Sequence, residues 1–140
     1  MKYLHTMVRV TDLETSLRFY RDALGLALLS VREIPQGRFT LAYLAAPGDT
    51  RAQVELTHNW GTEADPDLKY HDGNAQPQGF GHICFSVPDL DAATAWFDEN
   101  QVTFVKRPDQ GKMKDVAFIK DPDGYWIEIV EPARLKNLGI

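Results

Sequence analysis

His5-Thr6-Met7-Val8-Arg9-Val10-Thr11-Asp12-Leu13 is followed, much later in the chain, by His82-Ile83-Cys84-Phe85-Ser86-Val87-Pro88-Asp89-Leu90. The two stretches share a histidine, a valine and an Asp-Leu pair at one offset of 77 residues, from position 5 to position 82. The same offset pairs Phe19 with Trp96 and Tyr20 with Phe97. Farther on, Ala42-Tyr43-Leu44 matches Ala117-Phe118-Ile119, and Val54-Glu55-Leu56 matches Ile127-Glu128-Ile129. Three matches in the same order mark an internal duplication, and the small drift in offset needs only short length differences in surface loops.

Each copy reads as a strand, a helix and then more strands. Residues 3–10 alternate, with Leu4, Thr6, Val8 and Val10 on one face and His5, Met7 and Arg9 on the other. Thr11-Asp12-Leu13-Glu14 has the form of a capping box with Thr11 at the cap. Leu13, Leu17, Tyr20 and Leu24 form the expected apolar stripe of the helix, which Gly25 ends. In the second copy Pro88-Asp89 opens the helix, Leu90, Ala93 and Phe97 face the core, and Asn100 stops it. Strands are expected over about 26–32, 39–46, 51–58, 102–106, 114–120 and 125–131, the last two joined by the turn Asp121-Pro122-Asp123-Gly124. The fold class is therefore α+β, built from two tandem βαβββ units. A single domain over 1–140 holds repeats at about 1–60 and 79–132, joined by a long polar loop, 61–78.

Composition narrows the function classes. The 140 residues carry a net charge of −5, with no basic stripe to meet phosphates, so a nucleic-acid partner is not expected. No apolar run approaches bilayer-spanning length, and the start has no signal-peptide pattern, so neither a membrane nor export is expected. The single cysteine, Cys84, cannot form an internal disulfide, which agrees with a cytoplasmic location.

The duplication places His5 and His82 at one point of the first strands, and Glu55 and Glu128 at one point of the last strands. Two imidazoles and two carboxylates in equivalent positions suit a Zn²⁺, Ni²⁺, Co²⁺ or Mn²⁺ ion. A lone strand glutamate is ordinarily solvent-facing and a lone strand histidine ordinarily structural. Four such residues at matching positions weigh the other way, because a carboxylate flanked by apolar neighbours on a buried strand needs a partner.

The stretches His5–Val10, Ser16–Leu26, Val54-Glu-Leu-Thr-His-Asn-Trp-Gly-Thr-Glu63, Gly79-Phe-Gly-His-Ile83 and Asp121-Pro-Asp-Gly-Tyr-Trp-Ile-Glu-Ile129 resemble the glyoxalase I (lactoylglutathione lyase) family of the vicinal oxygen chelate superfamily. The strand–helix stretch recurs across that superfamily. The Glu55–Gly61 run and the Asp121–Glu128 ending are more specific to the lyase. The resemblance implies a lyase that isomerises the methylglyoxal–glutathione hemithioacetal to S-lactoylglutathione, a detoxification of methylglyoxal. It implies metal ligands at His5, Glu55, His82 and Glu128, with Glu128 as the base and Glu55 acting on the opposite face. It implies glutathione contacts at Arg9, Asn59, Lys106, Lys112, Met113 and Gln78. It also implies a homodimer with its sites at the interface. Gln78 stands where relatives often carry an arginine for the glycine carboxylate of glutathione. The Tyr70–Asn74 and Gly111–Met113 stretches look like the zinc type, while the segment before the Glu55 strand is short as in the nickel type. Zinc is favoured, with nickel or cobalt the alternative. An extradiol dioxygenase expects two histidines and one carboxylate, and the second glutamate argues against it. A non-catalytic binding protein on the same fold would not need all four ligands.

Overall fold

Alternation of apolar and polar residues makes the first strand, β1 (His5–Arg9): Val8 is buried, as is Val10 just after it, while His5, Met7 and Arg9 are exposed. The computed structural model describes residues 1–135; of the domain expected over 1–140, positions 136–140 lie outside the described residues.

Helix α1 (Leu13–Leu17) continues without a break into a π turn over Arg18–Ala23, where the Leu24 amide donates to the Phe19 carbonyl at 2.8 Å. A π turn holds one extra residue, and this rotates the buried stripe away from a regular helical spacing. The buried residues are Ser16, Leu17, Phe19, Tyr20 and Ala23, whereas Leu13 and Leu24 are half-buried. The cap is also one residue later than the capping-box pattern suggests. Asp12, with an extended backbone, accepts from the Glu14 and Thr15 amides at 3.1 and 3.4 Å. Gly25, at φ +89°, takes the chain out of the helix through the left-handed region, and the Leu26 amide closes back on the Tyr20 carbonyl at 2.9 Å.

Strands β2 (Ala27–Ile34), β3 (Phe39–Ala46) and β4 (Asp49–Asn59) complete a four-stranded sheet in the order β1-β4-β3-β2. Only the β1–β4 pair is parallel. A parallel pair needs a long crossover, and the helix with the β2–β3 hairpin provides it. Leu44, Leu56, Val10 and Tyr20 are fully or almost fully buried and form the centre of this unit's core.

The second copy repeats the plan with β5 (His82–Ser86), α2 (Leu90–Glu99), β6 (Thr103–Lys106), β7 (Val116–Lys120) and β8 (Trp126–Val130). Its sheet order is β5-β8-β7-β6, and again only the first pair is parallel. Asp89 caps α2 through the Ala92 amide at 3.0 Å, while the Glu131 carboxylate receives the Leu90 amide at 2.9 Å. Leu90 and Phe97 are buried, Ala93 is half-buried, and Asn100 is the C-cap. The chain divides into two compact units after Tyr70. Among the described residues no helix is long and apolar enough to cross a membrane.

The β7–β8 turn fixes the strand that carries Glu128. Asp121 is buried, and its Oδ1 accepts from the Asp123 and Tyr125 amides at 3.0 and 2.8 Å. Replacing it with alanine leaves buried amides without that acceptor, so Asp121→Ala should cost about 1–3 kcal/mol of stability. Asp121→Asn keeps an oxygen at the same place and should lose less. Thermal unfolding of the two variants beside the wild type checks the order; equal losses would show that the Oδ1 contacts do not matter.

Candidate metal centre

The parallel β1–β4 register sets Met7 opposite Glu55 and His5 opposite Gln53. His5 and Glu55 thus lie one pleat apart on a shared face, and His5 Nε2 meets Glu55 Oε2 at 2.7 Å. The β5–β8 register is the same: Cys84 opposes Glu128, His82 opposes Trp126, and His82 Nε2 meets Glu128 Oε2 at 2.8 Å. Both carboxylates are largely shielded from solvent, with side chains 11% exposed at Glu55 and 16% at Glu128. An aromatic ring backs each pair. His5 meets Tyr43 edge-on at 5.7 Å between centroids, and His82 meets Phe118 edge-on at 5.0 Å.

An imidazole nitrogen and a carboxylate oxygen at contact distance make a pair of candidate metal donors. A shielded carboxylate charge calls for a cation, and nitrogen and oxygen donors of this kind suit zinc, nickel or cobalt. The residues fit such an ion. Among the described residues no group of three or more His, Cys, Asp or Glu side chains gathers as a metal site, so the donors come in these pairs.

The other expected site residues are placed less uniformly. Arg9 is exposed on the His5 face of β1. Asn59 ends β4, opposite Phe39, and its carbonyl accepts from the Thr62 hydroxyl at 3.0 Å. Lys106 ends β6 with its Nζ donating to the Val116 and Arg107 carbonyls at 2.6 and 3.2 Å. Burial, and then the charge of Lys114, pushes its ammonium below the usual lysine range. Lys112 and Met113 are exposed between β6 and β7. Gln78 is exposed, and its amide donates to the Asn74 carbonyl at 3.3 Å. That loop is tightly folded at Gly73, where φ is +92° and a Cβ would collide with the Phe80 carbonyl.

Residues 2–129 match the family model described as the Glyoxalase/Bleomycin resistance protein/Dioxygenase superfamily. The chain belongs to this superfamily. Within it, the chain is 48% identical to a lactoylglutathione lyase of Pseudomonas putida, covering 94% of this chain and 85% of that one. It is 49% identical to a lactoylglutathione lyase of Pseudomonas aeruginosa, covering 96% and 85%. A solved structure of the trypanothione-dependent glyoxalase I of Leishmania major superposes with a TM-score of 0.78 at 30% identity, covering 97% of this chain and 90% of that one. The tandem βαβββ fold is that of the glyoxalases.

Much of the glyoxalase-like Glu55–Glu63 run is structural. Trp60 donates its indole N–H to the Thr40 hydroxyl at 2.8 Å, and His58 contacts Glu63 at 2.8 Å. The Thr62 hydroxyl donates to the Thr11 carbonyl at 2.6 Å, which ties the end of β4 to the start of α1. A residue absent from the expected site is Tyr43, the register partner of Glu55, whose ring meets His5 edge-on. Burial first, and then the Glu55 charge, raises its phenol above the usual tyrosine range and keeps it a donor. Its signal in the sequence was its pairing with Phe118 across the repeat.

Cys84 opposes Glu128 on β5. Although part of the residue reaches solvent, burial and then the Glu128 charge push its thiol up to about 11. Against an ordinary thiol near ~8.5, the thiolate fraction at neutral pH falls by about a hundredfold or more. Alkylation of chelator-treated protein should therefore be slower than that of a free thiol by about this factor, and should keep rising with pH above 9 or so. An ordinary rate at neutral pH would place Cys84 outside this shielded environment.

Proposed function

We propose that this chain is a lactoylglutathione lyase that isomerises the methylglyoxal–glutathione hemithioacetal to S-lactoylglutathione. The observation that carries the reading is the paired His–Glu contact, His5 with Glu55 and His82 with Glu128, on equivalent strands of a glyoxalase fold. The names of the two Pseudomonas relatives support the same activity.

The reaction changes no composition and relocates two protons, one from carbon to the neighbouring carbon and one from the hydroxyl oxygen to the former carbonyl oxygen. A proton leaves the carbon that bears the hydroxyl and the sulfur, and one returns to the neighbouring carbonyl carbon. Glu128 is the group proposed to take and return it. Phe118, its partner in register, and Trp126 give it an apolar surround that limits exchange of that proton with water. Glu55 stands against the opposite side of the substrate. His5, Glu55, His82 and Glu128 would hold a divalent cation, zinc in preference to nickel or cobalt. When bound, such an ion supplies Lewis-acid polarisation of the substrate oxygens. Arg9 and Asn59 are proposed to bind glutathione polar groups, with Gln78, Lys106, Lys112 and Met113 around the rest of the thiol. The proposed compartment is the cytoplasm.

Glu128→Gln, loaded with metal, should lower kcat by at least about 10²-fold, the scale of a lost general base. Metal-free wild type titrated separately with Zn²⁺, Ni²⁺ and Co²⁺, in methylglyoxal plus glutathione, checks the activity and ranks the ions. Near wild-type turnover in the fully metallated variant would reassign the base, and no turnover with any ion would reject the lyase.

We further propose a twofold homodimer, because each half of the chain supplies one histidine and one glutamate and a twofold pairing generates two equal sites. His5 and Glu55 of one chain would join His82 and Glu128 of the other. A chain with His5→Ala and Glu55→Ala, and another with His82→Ala and Glu128→Ala, should each be inactive alone. Refolded together they should regain up to about half of wild-type activity per heterodimer, since one of its two interface sites is intact. Heterodimers seen by mass spectrometry without activity would reject cross-chain sites.

A further inference from the structure

We propose that Thr62 is a positioning residue whose hydroxyl sets the separation of Arg9 and Asn59, and so the fit of glutathione between them. This rests on the lyase reading above, in which both residues contact glutathione, and adds the device that spaces them. Arg9 on β1 and Thr57 on β4 are register partners, and the Val10 amide donates to the Thr57 carbonyl at 3.0 Å. Alternation puts Asn59 on the face of Thr57, and therefore on that of Arg9. The paired register ends there. The first strand leaves through Thr11 and Asp12 into α1, while β4 runs on to Asn59. On its β3 side Asn59 is still paired, opposite Phe39, and Trp60 extends that hold through its amide to the Arg38 carbonyl at 2.9 Å. On its β1 side a gap opens between Asn59 and Thr11. Gly61, at φ +97°, turns the chain into a short 3₁₀ segment, Thr62–Ala64, and this brings Thr62 over the gap. Its hydroxyl donates to the Thr11 carbonyl at 2.6 Å and to the Asn59 carbonyl at 3.0 Å.

One hydroxyl proton shared between two carbonyls joins the exit of β1 to the end of β4 where the ladder no longer does. Two groups that grip one ligand act together only while their spacing matches it, and a small misplacement weakens both contacts. Thr62 itself has no donor left for the thiol, because its proton is spent on the backbone. The metal donors lie apart from it: His5 and Glu55 each stand four residues from the glutathione contact on their own strand, Arg9 and Asn59, and are held by the continuous β1–β4 pairing. Loosening the link at Thr62 therefore acts on thiol binding and leaves the metal donors in place.

The test removes the hydroxyl in the full-length, zinc-loaded protein. Thr62→Val keeps the bulk of the side chain and loses the O–H, Thr62→Ala loses both, and Thr62→Ser restores the donor. Whichever hydroxyl-free variant keeps the wild-type circular dichroism decides the outcome. Calorimetric titration with S-hexylglutathione, an unreactive thioether, should show binding weakened by about tenfold in that variant and within about twofold of wild type in Thr62→Ser. On the hemithioacetal, KM should rise by about tenfold with kcat within about twofold, the pattern of lost uniform binding. In an Asn59→Ala background the same substitution should weaken S-hexylglutathione binding by no more than about twofold, because the spacing no longer serves a contact. Unchanged binding, failure of Thr62→Ser to rescue it, a fall in kcat as large as the rise in KM, or the full loss persisting beside Asn59→Ala overturns the proposal. Wild-type protein that binds S-hexylglutathione without turning over the hemithioacetal rejects the lyase reading alone, and calorimetry still decides the role of Thr62. Wild-type protein that does not bind the thioether rejects both.

Discussion

A parallel strand pair, β1 beside β4 and β5 beside β8, sets the constraint from which the architecture follows. Parallel neighbours cannot be joined by a tight turn, so each unit places a helix and two strands between them. The pairing also places the candidate donors. With Met7 opposite Glu55 and Cys84 opposite Glu128, each histidine sits one pleat from its glutamate on the same face. A one-residue slip would turn either member to the other side of the sheet. The apolar residues that alternate with these groups, Leu56 and Ile127 among them, are fully buried and make such a slip costly.

The glutamates are tolerated because of what surrounds them. β4 and β8 are interior strands with ladder partners on both sides, and a carboxylate there loses most of its water. The imidazole at 2.7 or 2.8 Å compensates part of that loss, and a cation would compensate more. The duplication supplies this arrangement twice. The copies differ in the ring beside each carboxylate: a tyrosine, Tyr43, pairs with Glu55, and a phenylalanine, Phe118, pairs with Glu128.

The fold was legible because duplication is a stronger signal than periodicity: His5 with His82 and Glu55 with Glu128 align before any helix or strand is assigned. The α2 boundaries were also readable, since Asp89 and Asn100 are the capping types found there. The π turn at Arg18–Ala23 was not, because one extra residue in a turn leaves no mark in a short run of leucines and aromatics. Asp12 displaced Thr11 as the cap for a similar reason; both can cap, and the backbone of Asp12 decides. The Tyr43–Glu55 pairing depends on antiparallel register between β3 and β4, which sequence spacing does not give.

Apart from Arg9, which shares β1 with His5, the proposed glutathione contacts are placed differently from the metal-donor candidates. The four metal-donor candidates stand on strands held by continuous ladders, with the glutamates on the interior pair. The proposed glutathione contacts stand at strand ends or between strands: Asn59 closes β4, Lys106 closes β6, Lys112 and Met113 lie in the β6–β7 connection, and Gln78 lies in the loop before β5. Surface connections accept substitution far more readily than interior strands do. Lys106 spends its ammonium on two backbone carbonyls, and Gln78 carries no charge, so neither presents a free cation to an anionic thiol. The proposed thiol contacts therefore stand where substitution is tolerated, while the geometry of the His–Glu pairs is fixed by the sheets beneath them.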